Sequence, residues 1–341
     1  MAHVNMLKFP VSSPADTSPL QKLQDAGYKP DQILGIIGKT EGNGCVNDFS
    51  RTLSAHVWES LVPNTAVTIF SGGTEGVLSP HVTFILREAA PTGLVACVAR
   101  TRALAAHEIG FRAHAVQVQR TVRGMMAERG LAPDDVCMVL VKCPLLTSRK
   151  IQAVRDQGGT PVSADTYESM AASRYASALG VSLSLDGDEL HGADAGAEAL
   201  PRGRWCARAS CSAGAELDDC HILLLAHPTR GPLRAVTDVM TDAIDAASLV
   251  RLRQRVEADG GGEIVQVFAK AEADATGLIR GLRHTMNTDS DIHSTRHARA
   301  AVGGLIAGLF ADTMVYVSGG AEGQGPPGGG PLCVIYRCPP E

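Results

Sequence analysis

Short apolar runs recur along this chain and alternate with longer segments that are apolar at helical spacing. Three of the runs lead directly into a lysine: QILGIIG precedes Lys39, VCMVLV precedes Lys142 and IVQVFA precedes Lys270. Runs of this length, rich in β-branched residues, are typical of buried strands. Similar runs occur in each third of the chain, among them TAVTIF, VTFIL, ILLLA and LCVIY. Strands that alternate with helical segments predict an α/β fold.

Amphipathic spacing and helix-end signals locate the predicted helices between these runs. They lie near 18–26, 47–61, 107–130, 165–179, 234–258 and 290–309. We interpret 234–258 as one long helix that joins the second and third parts of the chain. Residues 1–30, apart from the short helix, form a polar lead-in. The segment 186–205 has the composition of a loop.

A serine motif is written three times, as FSGGTEG, CSAGAEL and VSGGAEG. Aligned on their serines, the copies give Ser71, Ser212 and Ser318, and a glutamate follows each serine four residues later. Between each lysine and its serine lies an arginine that follows a hydroxyl residue, and these are Arg51, Arg174 and Arg296. One order of reactive side chains in three thirds of the chain indicates a triplication. We place the units at 1–103, 104–245 and 246–341.

The repeated residue types suit nucleophilic chemistry. A serine at the end of a strand, with small residues behind it, exposes its hydroxyl beside backbone amides that can hold an oxyanion. No histidine recurs with the serines, but a lysine does, and burial beside positive charge can lower its pKa enough for it to act as a base. Three arginines would suit a ligand rich in carbonyl oxygens. Three equivalent pairs cannot all attack one carbonyl, so two of them serve only to bind, and which pair reacts stays open.

Composition narrows the class of partner. The chain has 341 residues, of which 45% are hydrophobic. It has 31 basic and 36 acidic residues, and the basic residues are not clustered in the sequence. This balance argues against a nucleic-acid partner. The longest apolar stretch, 300–311, is too short and too rich in glycine to span a membrane, and we see no signal peptide. Nine cysteines without a C-x-x-C pair read as reduced thiols of a cytoplasmic protein.

The glycine- and proline-rich segment 321–331 lies between two predicted strands. A floppy linker is one reading of it, but between strands it is better interpreted as a loop that presents backbone carbonyl groups. With a carboxylate such as Glu272, these carbonyls are ligands that a hard cation, Mg²⁺ or Ca²⁺, prefers.

In its repeated lysine, arginine and serine motifs and in the segment 321–331, the chain resembles the cyanuric acid hydrolase and barbiturase family. The matching strings include GKTEGNGCVNDFSR, SGGTEGVLSPH, RHTMNTDSDIHSTRHARA and VYVSGGAEGQGPPGGGP, and together the matches span nearly the whole chain. The resemblance implies three similar α/β units around a pseudo-threefold axis, with the active site at their junction. It also implies hydrolytic opening of a cyclic amide without a catalytic metal, and assembly as a homotetramer.

The resemblance further implies roles for individual residues. Ser212 would be the nucleophile and Lys142 its base, with Lys39–Ser71 and Lys270–Ser318 as the other two pairs. The residue after Ser212 is alanine where the family has glycine. Substrate contacts would come from Arg51, Ser71, Gly72, Arg174, Ser212, Ala213, Arg296, Ser318 and Gly319. A structural Mg²⁺ or Ca²⁺ would be held by Glu272, Ala321, Gln324, Gly325, Pro326 and Gly329.

The implied reaction is the opening of cyanuric acid to carboxybiuret, which then gives biuret and CO₂, a step in s-triazine degradation. Cyanuric acid is a ring of alternating carbonyl and imide groups, and a threefold set of serine, lysine and arginine complements it. Within the family the alternative is a barbiturase, which acts on barbituric acid. Outside it the alternative is a non-catalytic binding protein for a small oxo-rich ring.

Overall fold

The computed structural model describes residues 2–190 and 198–339, and its strands form two main sheets and a small hairpin. The strands are β1 (Ala2–Pro10), β2 (Ile33–Thr40), β3 (Val67–Gly72), β4 (His81–Glu88), β5 (Val95–Arg100), β6 (Val136–Pro144), β7 (Ala209–Gly214), β8 (His221–Ala226), β9 (Leu233–Met240), β10 (Glu263–Ala271), β11 (Leu278–Ile279), β12 (Leu282–Arg283), β13 (Tyr316–Gly319) and β14 (Gly330–Arg337). The larger sheet has the order β3-β2-β4-β1-β5-β8-β6-β7, and the smaller one has the order β13-β10-β14-β9. Strands β11 and β12 pair only with each other.

Helices connect the strands, as an α/β fold requires, which confirms the predicted fold class. They are α1 (Ser18–Asp25), α2 (Phe49–Glu59), α3 (Arg112–Arg129), α4 (Ser148–Asp156), α5 (Thr166–Asp186), α6 (Ala246–Ala258) and α7 (Ser294–Phe310). Within the described ranges, none of them combines the length and the hydropathy of a membrane-spanning helix.

One pattern of strand pairing occurs three times. In the first set (β1–β4), the second strand runs parallel to the third and antiparallel to the fourth, and the fourth runs antiparallel to the first. The second set (β5–β8) and the third set (β9, β10, β13 and β14) repeat this arrangement. Strands β1 and β5 pair with each other over two residues, so the first two sets share the larger sheet. The smaller sheet is the third set.

The second strand of each set carries the lysine and has the same irregularity. Its register against the fourth strand shifts between Ile33 and Gly35 in β2, between Val136 and Met138 in β6, and near Ile264 in β10. A bulge bends a strand and re-aims the side chains that follow it. Three bulges at one place in the repeat therefore give the three lysines a common direction.

A single hydrophobic cluster joins the three sets. It contains Ile37, Leu140 and Phe268, each of which lies two residues before the lysine of its strand. Residues two apart in a strand point to the same face. The lysines therefore emerge above a core to which every set contributes, and this places all three at the junction of the sets.

Two predictions about secondary structure were wrong. The segment 234–258 is not one helix: it forms β9 and then α6, and the Asp245 side chain caps the helix by accepting a hydrogen bond from the Ser248 amide. Residues 2–10 form β1 rather than a polar lead-in, with Val4 and Met6 buried against its neighbours. In both segments, apolar and polar residues alternate as in a strand, within a longer stretch that is amphipathic or polar. Pairing with neighbouring strands stabilises the strand in each case.

The other differences are smaller. Helix α4 was not predicted, and α5 continues past the expected end at 179 as far as Asp186. Of the loop predicted over 186–205, residues 191–197 lie outside the described residues. The predicted unit boundaries at 103/104 and 245/246 each fall one strand later than the repeated pairing pattern, which groups β5 and β9 with the strands that follow them. The boundaries themselves stay a prediction.

Helices α3 and α5 cross closely at Gly180. A methyl group added there would lie 2.5 Å from the Ala115 carbonyl oxygen and 2.9 Å from Val118 Cβ. We expect Gly180→Ala to lower the free energy of unfolding by about 1–3 kcal/mol, because a packed interface cannot absorb the extra carbon without a backbone shift. Urea denaturation would measure the change.

Gly124 in α3 is the matched control, since no atom lies within 4 Å of a methyl group added there. Gly124→Ala should stabilise the protein by about 0.5–1 kcal/mol, because alanine loses less backbone entropy in a helix. Equal effects of the two substitutions would show that the helix crossing is not tight.

Candidate active site

Each lysine lies directly opposite its serine on a parallel pair of strands. Lys39 pairs with Ser71 between β2 and β3, Lys142 pairs with Ser212 between β6 and β7, and Lys270 pairs with Ser318 between β10 and β13. All six residues are buried, and the lysines are only 1–2% exposed. The recurrent order of residues in the sequence thus corresponds to one register in the structure.

The site residues converge on one small cavity. Its lining includes most of the predicted substrate contacts: Arg51, Ser71, Gly72, Arg174, Ser212, Ala213, Ser318 and Gly319. Lys142 and Met170 also line it, and Lys39 and Lys270 reach it through their serines. A second, larger cavity, lined by Tyr167, Glu272 and His293, shares Arg174 and Gly319 with the first and opens beside it.

The three serines have different hydrogen bonds. Ser71 donates to Ser318 over 3.3 Å between their Oγ atoms, and Lys39 and Lys270 donate to these two serines at 3.4 and 3.0 Å. The Oγ of Ser212 is buried and has no hydrogen-bond partner within the described residues. Among the three serines, Ser212 is therefore the one whose hydroxyl is not hydrogen-bonded to a lysine or to another serine.

Two of the lysines reach from one set of strands to another. The Nζ of Lys142 donates to the carbonyl oxygen of Phe70, and that of Lys270 donates to the carbonyl oxygen of Cys211, each at 2.7 Å. These acceptors immediately precede Ser71 and Ser212. Lys39 donates to the Gly72 carbonyl oxygen at 3.1 Å, within its own set. The lysines thus fix the ends of the serine strands against one another.

Burial lowers the pKa of every one of these lysines, because a desolvated ammonium group is disfavoured. Arg299 adds to this effect at Lys39, and Glu216 opposes it at Lys142. Burial, reinforced by Arg174, lowers the pKa of Lys270 to about 7. A lysine whose pKa is lowered is neutral for more of the time and can accept a proton near neutral pH.

Arginine–glutamate pairs connect the sets in cyclic order. Arg51 of the first set lies 3.8 Å from Glu216 of the second, and Arg174 of the second binds Glu322 of the third through two 2.6 Å contacts. Arg299 of the third set binds Glu75 of the first at 2.6 and 2.8 Å. These glutamates belong to the repeated serine motif, but the sequence analysis gave them no role. Their recurrence four residues after each serine was the signal that could have identified them.

The third arginine is Arg299 rather than Arg296. Arg299 lines the central cavity with only 3% of its side chain exposed, whereas the Arg296 side chain is 36% exposed and does not line that cavity. Arg296 was chosen because it follows a hydroxyl residue, as Arg51 and Arg174 do. The two arginines lie three residues apart on α7, so both reach Glu75. The apolar periodicity of the helix, with Ala298 and Val302 buried, places Arg299 on the inner face.

The residues predicted to hold a cation fit a hard ion. Glu272 is partly buried and forms no ion pair within the described part of the chain, and burial beside Glu322 raises its pKa to about 7. The other predicted ligands, Ala321, Gln324, Gly325, Pro326 and Gly329, lie in the loop between β13 and β14 and offer oxygen donors. A partly buried carboxylate facing such a loop suits Mg²⁺ or Ca²⁺. In the described ranges there is no group of three His, Cys, Asp or Glu side chains that could hold a metal ion.

Comparison with known proteins shows which chains share these features. The family model of amidohydrolase ring-opening proteins matches residues 5–337. A cyanuric acid amidohydrolase from Sarocladium sp. is 60% identical over 99% of both chains. A cyanuric acid amidohydrolase from Pseudonocardia dioxanivorans is 55% identical, again over 99% of both chains.

Solved structures agree with the sequence relatives. The crystal structure of a cyanuric acid hydrolase from A. caulinodans superposes with a TM-score of 0.91 at 41% identity, covering 99% of this chain and 100% of that one. A second cyanuric acid hydrolase, described as an innovation by structural concatenation, superposes with a TM-score of 0.90 at the same identity and coverage. As its motifs predicted, this chain belongs to the family of amidohydrolase ring-opening proteins.

Proposed function

We propose that this protein opens the ring of cyanuric acid by hydrolysis, giving carboxybiuret, which loses CO₂ to leave biuret. The observation that carries the proposal is the set of three Lys–Ser pairs in one register, with an arginine from each set, around one small cavity. Such a cavity presents the same donors three times, and the ring of cyanuric acid presents the same acceptors three times. Relatives that are 60% and 55% identical are named cyanuric acid amidohydrolases, which supports this substrate.

We further propose that the three sets of strands surround a pseudo-threefold axis that passes through this cavity. The cyclic order of the pairs Arg51–Glu216, Arg174–Glu322 and Arg299–Glu75 supports this arrangement, because each set gives an arginine to the next. Arginine side chains held by a carboxylate are oriented before the ligand arrives, so less entropy is lost on binding.

Within this site Ser212 is the proposed nucleophile and Lys142 its base. Ser71 and Ser318 are hydrogen-bonded to each other and to their lysines, whereas the Ser212 hydroxyl makes no well-formed hydrogen bond to any described residue. Lys142 is the lysine paired with Ser212 across the strands, and burial lowers its pKa. The two bonded serines then act as donors that hold the ring.

The reaction follows from these roles. Lys142 accepts the hydroxyl proton of Ser212, and the serine oxygen forms a bond to a ring carbonyl carbon. The carbonyl oxygen becomes an oxyanion, for which the backbone amides beside Gly72 and Gly319 are the proposed donors. As the tetrahedral intermediate collapses, the ring C–N bond breaks and the leaving nitrogen takes the proton from Lys142. Water, deprotonated by the same lysine, then forms a bond to the acyl carbon, the bond from that carbon to Ser212 Oγ breaks, and Oγ takes the proton back from Lys142.

The Ser318–Lys270 pair is the second candidate for the reacting dyad. Lys270 donates to Ser318 Oγ at 3.0 Å and Lys39 donates to Ser71 Oγ at 3.4 Å, whereas no such bond joins Lys142 to Ser212 within the described residues. Ser318, however, also accepts a hydrogen bond from Ser71, and Lys270 is held by the Cys211 carbonyl oxygen. Lys142 is held in the same way by the Phe70 carbonyl oxygen at 2.7 Å, so the lysines do not separate the two pairs. We favour Ser212 because the contact between Ser71 and Ser318 would have to break before Ser318 could attack.

Alanine substitution at Ser212, Lys142, Ser71 and Ser318 would show which of the two dyads carries out the reaction. We expect Ser212→Ala and Lys142→Ala each to lower kcat by at least roughly a thousandfold, because a nucleophile and its base act as one unit. Ser71→Ala and Ser318→Ala should keep measurable turnover, since those serines only bind. Biuret release from cyanuric acid is the assay, with barbituric acid run in parallel and circular dichroism to check folding.

A Ser212→Ala variant with nearly normal kcat, beside an inactive Ser318→Ala variant, would transfer the reaction to the second dyad. Turnover of barbituric acid alone would identify a barbiturase. If the unmodified protein binds cyanuric acid tightly but forms no product, the protein is a non-catalytic binding protein.

The two arginines of α7 provide an internal comparison. Removing a charge-assisted contact costs about 1.5–3 kcal/mol, so Arg299→Ala should lower kcat/KM by roughly ten- to a hundredfold. Arg296→Ala should change it by less than about fivefold, because an exposed ion pair contributes about 1 kcal/mol or less. Steady-state kinetics would measure both, and a larger loss in the Arg296 variant would restore Arg296 as the substrate contact.

We also propose a structural cation between Glu272 and the 321–329 loop. A hard cation there would neutralise a partly buried carboxylate and fix the loop that follows Ser318. Chelation with EDTA should therefore lower the Tm more than it lowers activity at a permissive temperature, since a ligand of the folded state stabilises it by mass action. Loss of activity at once, without any change in Tm, would point instead to a catalytic ion.

The homotetramer implied by the resemblance and the cytoplasmic location inferred from the cysteines stay predictions. All nine cysteines lie within the described ranges, and all nine are buried free thiols, which supports a reducing compartment.

A further inference from the structure

Tyr316 breaks the equivalence of the three sets beneath the serines. It lies on β13 two residues before Ser318, so its side chain points to the same face as that serine. The equivalent positions, two residues before Ser71 and Ser212, hold Ile69 and Ser210. A phenol therefore stands at only one of the three related positions.

The aromatic ring of Tyr316 is held on two sides. It packs edge-to-face against Phe268, with ring centroids 5.8 Å apart, and the ammonium group of Lys39 lies 5.8 Å from its centroid. Both Tyr316 and Phe268 belong to the hydrophobic cluster shared by all three sets, and Tyr316 is only 1% exposed. The position of its hydroxyl group is thus fixed by packing that does not involve the hydroxyl itself.

That hydroxyl group lies near the hydroxyls of Ser212, Ser71 and Ser318, and their hydrogen bonding lowers its pKa against the effect of burial. In the part of the chain that the structure describes, none of these contacts has the distance and angle of a well-formed hydrogen bond. Burial raises the pKa of Tyr316 to about 12, so the phenol keeps its proton and is a donor. An unsatisfied buried hydroxyl costs about 1–3 kcal/mol. Phenylalanine would fill the same space without this cost, so the hydroxyl needs an explanation other than stability.

Of the three serines, Ser212 is the one whose Oγ is available to accept a hydrogen bond from the phenol. Ser71 and Ser318 are already bonded to each other and to Lys39 and Lys270. The Oγ of Ser212 lacks a partner, as the phenol does. In the described residues, the phenol and the Ser212 hydroxyl are thus both buried without a well-formed hydrogen bond, and Ser212 is the serine that affects the phenol most.

We propose that Tyr316 is a positioning residue that donates a hydrogen bond to Ser212 Oγ and so makes Ser212 the reacting serine of the three. This inference rests on the proposed function. With the phenol as donor, the Ser212 proton is left to point at Lys142. Tyr316 keeps its own proton throughout: the serine proton goes to Lys142, the Oγ–carbon bond forms, and the ring C–N bond breaks. The hydrogen bond strengthens as the serine oxygen gains charge, so it acts on kcat.

Tyr316→Phe removes only the hydroxyl and is the direct test. We expect kcat for cyanuric acid to fall about ten- to a hundredfold with KM changed by less than about twofold, because the phenol contacts the serine and not the ring. The Tm should be equal to or above that of the unmodified protein, since an unsatisfied buried group is lost.

Tyr336→Phe is the matched control. Tyr336 is also 1% exposed, but its hydroxyl donates to Asp259 at 2.6 Å, on a strand away from the cavity. This variant should keep its kcat and lose Tm, the reverse of the Tyr316 result. A rate of Ser212 labelling by a fluorophosphonate, measured by mass spectrometry, should fall in Tyr316→Phe and not in Tyr336→Phe.

Normal kcat in Tyr316→Phe, or a fall in kcat accompanied by a fall in Tm, would overturn the inference and leave Tyr316 as a packing residue. The proposed function fails separately, if the unmodified protein gives no biuret or if Ser212→Ala stays active. An inactive Ser212→Ala beside a fully active Tyr316→Phe would refute only the role of the tyrosine.

Discussion

The burial of three lysine side chains is the constraint on which the rest of the structure depends. An ammonium group removed from water must find acceptors or lose its proton. Here the acceptors are backbone carbonyl oxygens such as those of Phe70 and Cys211, which belong to a neighbouring set of strands. The strands of different sets must therefore end at the same place, and the cavity is a result of that requirement. The same burial that fixes the geometry also makes the lysines usable as bases.

In the proposed mechanism, the features that all three sets share bind the ring, and the features that differ between the sets make one serine reactive. Ser71 and Ser318 share a hydrogen bond, whereas Ser212 has no partner in the described residues. Lys142 has Glu216 at 3.2 Å, and only the third set places a phenol beneath the serines. A strictly threefold site would bind a threefold ring in three equal ways and favour attack at none. Small differences between the sets convert such a site into one with a defined nucleophile.

Much of this arrangement could be predicted from the sequence, because the lysine, arginine and serine motifs recur in one order and the lysine strands are uninterrupted apolar runs. The strands β2, β6 and β10 and the α/β class were read correctly for that reason. Local patterns failed where partners decide: β9 becomes a strand because β14 pairs with it, and Arg299 replaces Arg296 because one face of α7 is covered. The surroundings of Ser212 and Tyr316 depend on side chains that different sets bring together, and no local sequence pattern encodes such contacts.

The cyclic Arg–Glu pairs have a consequence for how this chain can be assembled. Each pair takes its arginine from one set and its glutamate from another, so a chain that stops after the second set has one complete pair, Arg51–Glu216, and isolated charges elsewhere. Partly synthesised or cleaved chains would therefore lack a working pocket however well their sheets form. Occupation of the pocket reports that all three sets are present and docked, and a ligand held by all of them ties their unfolding into a single event.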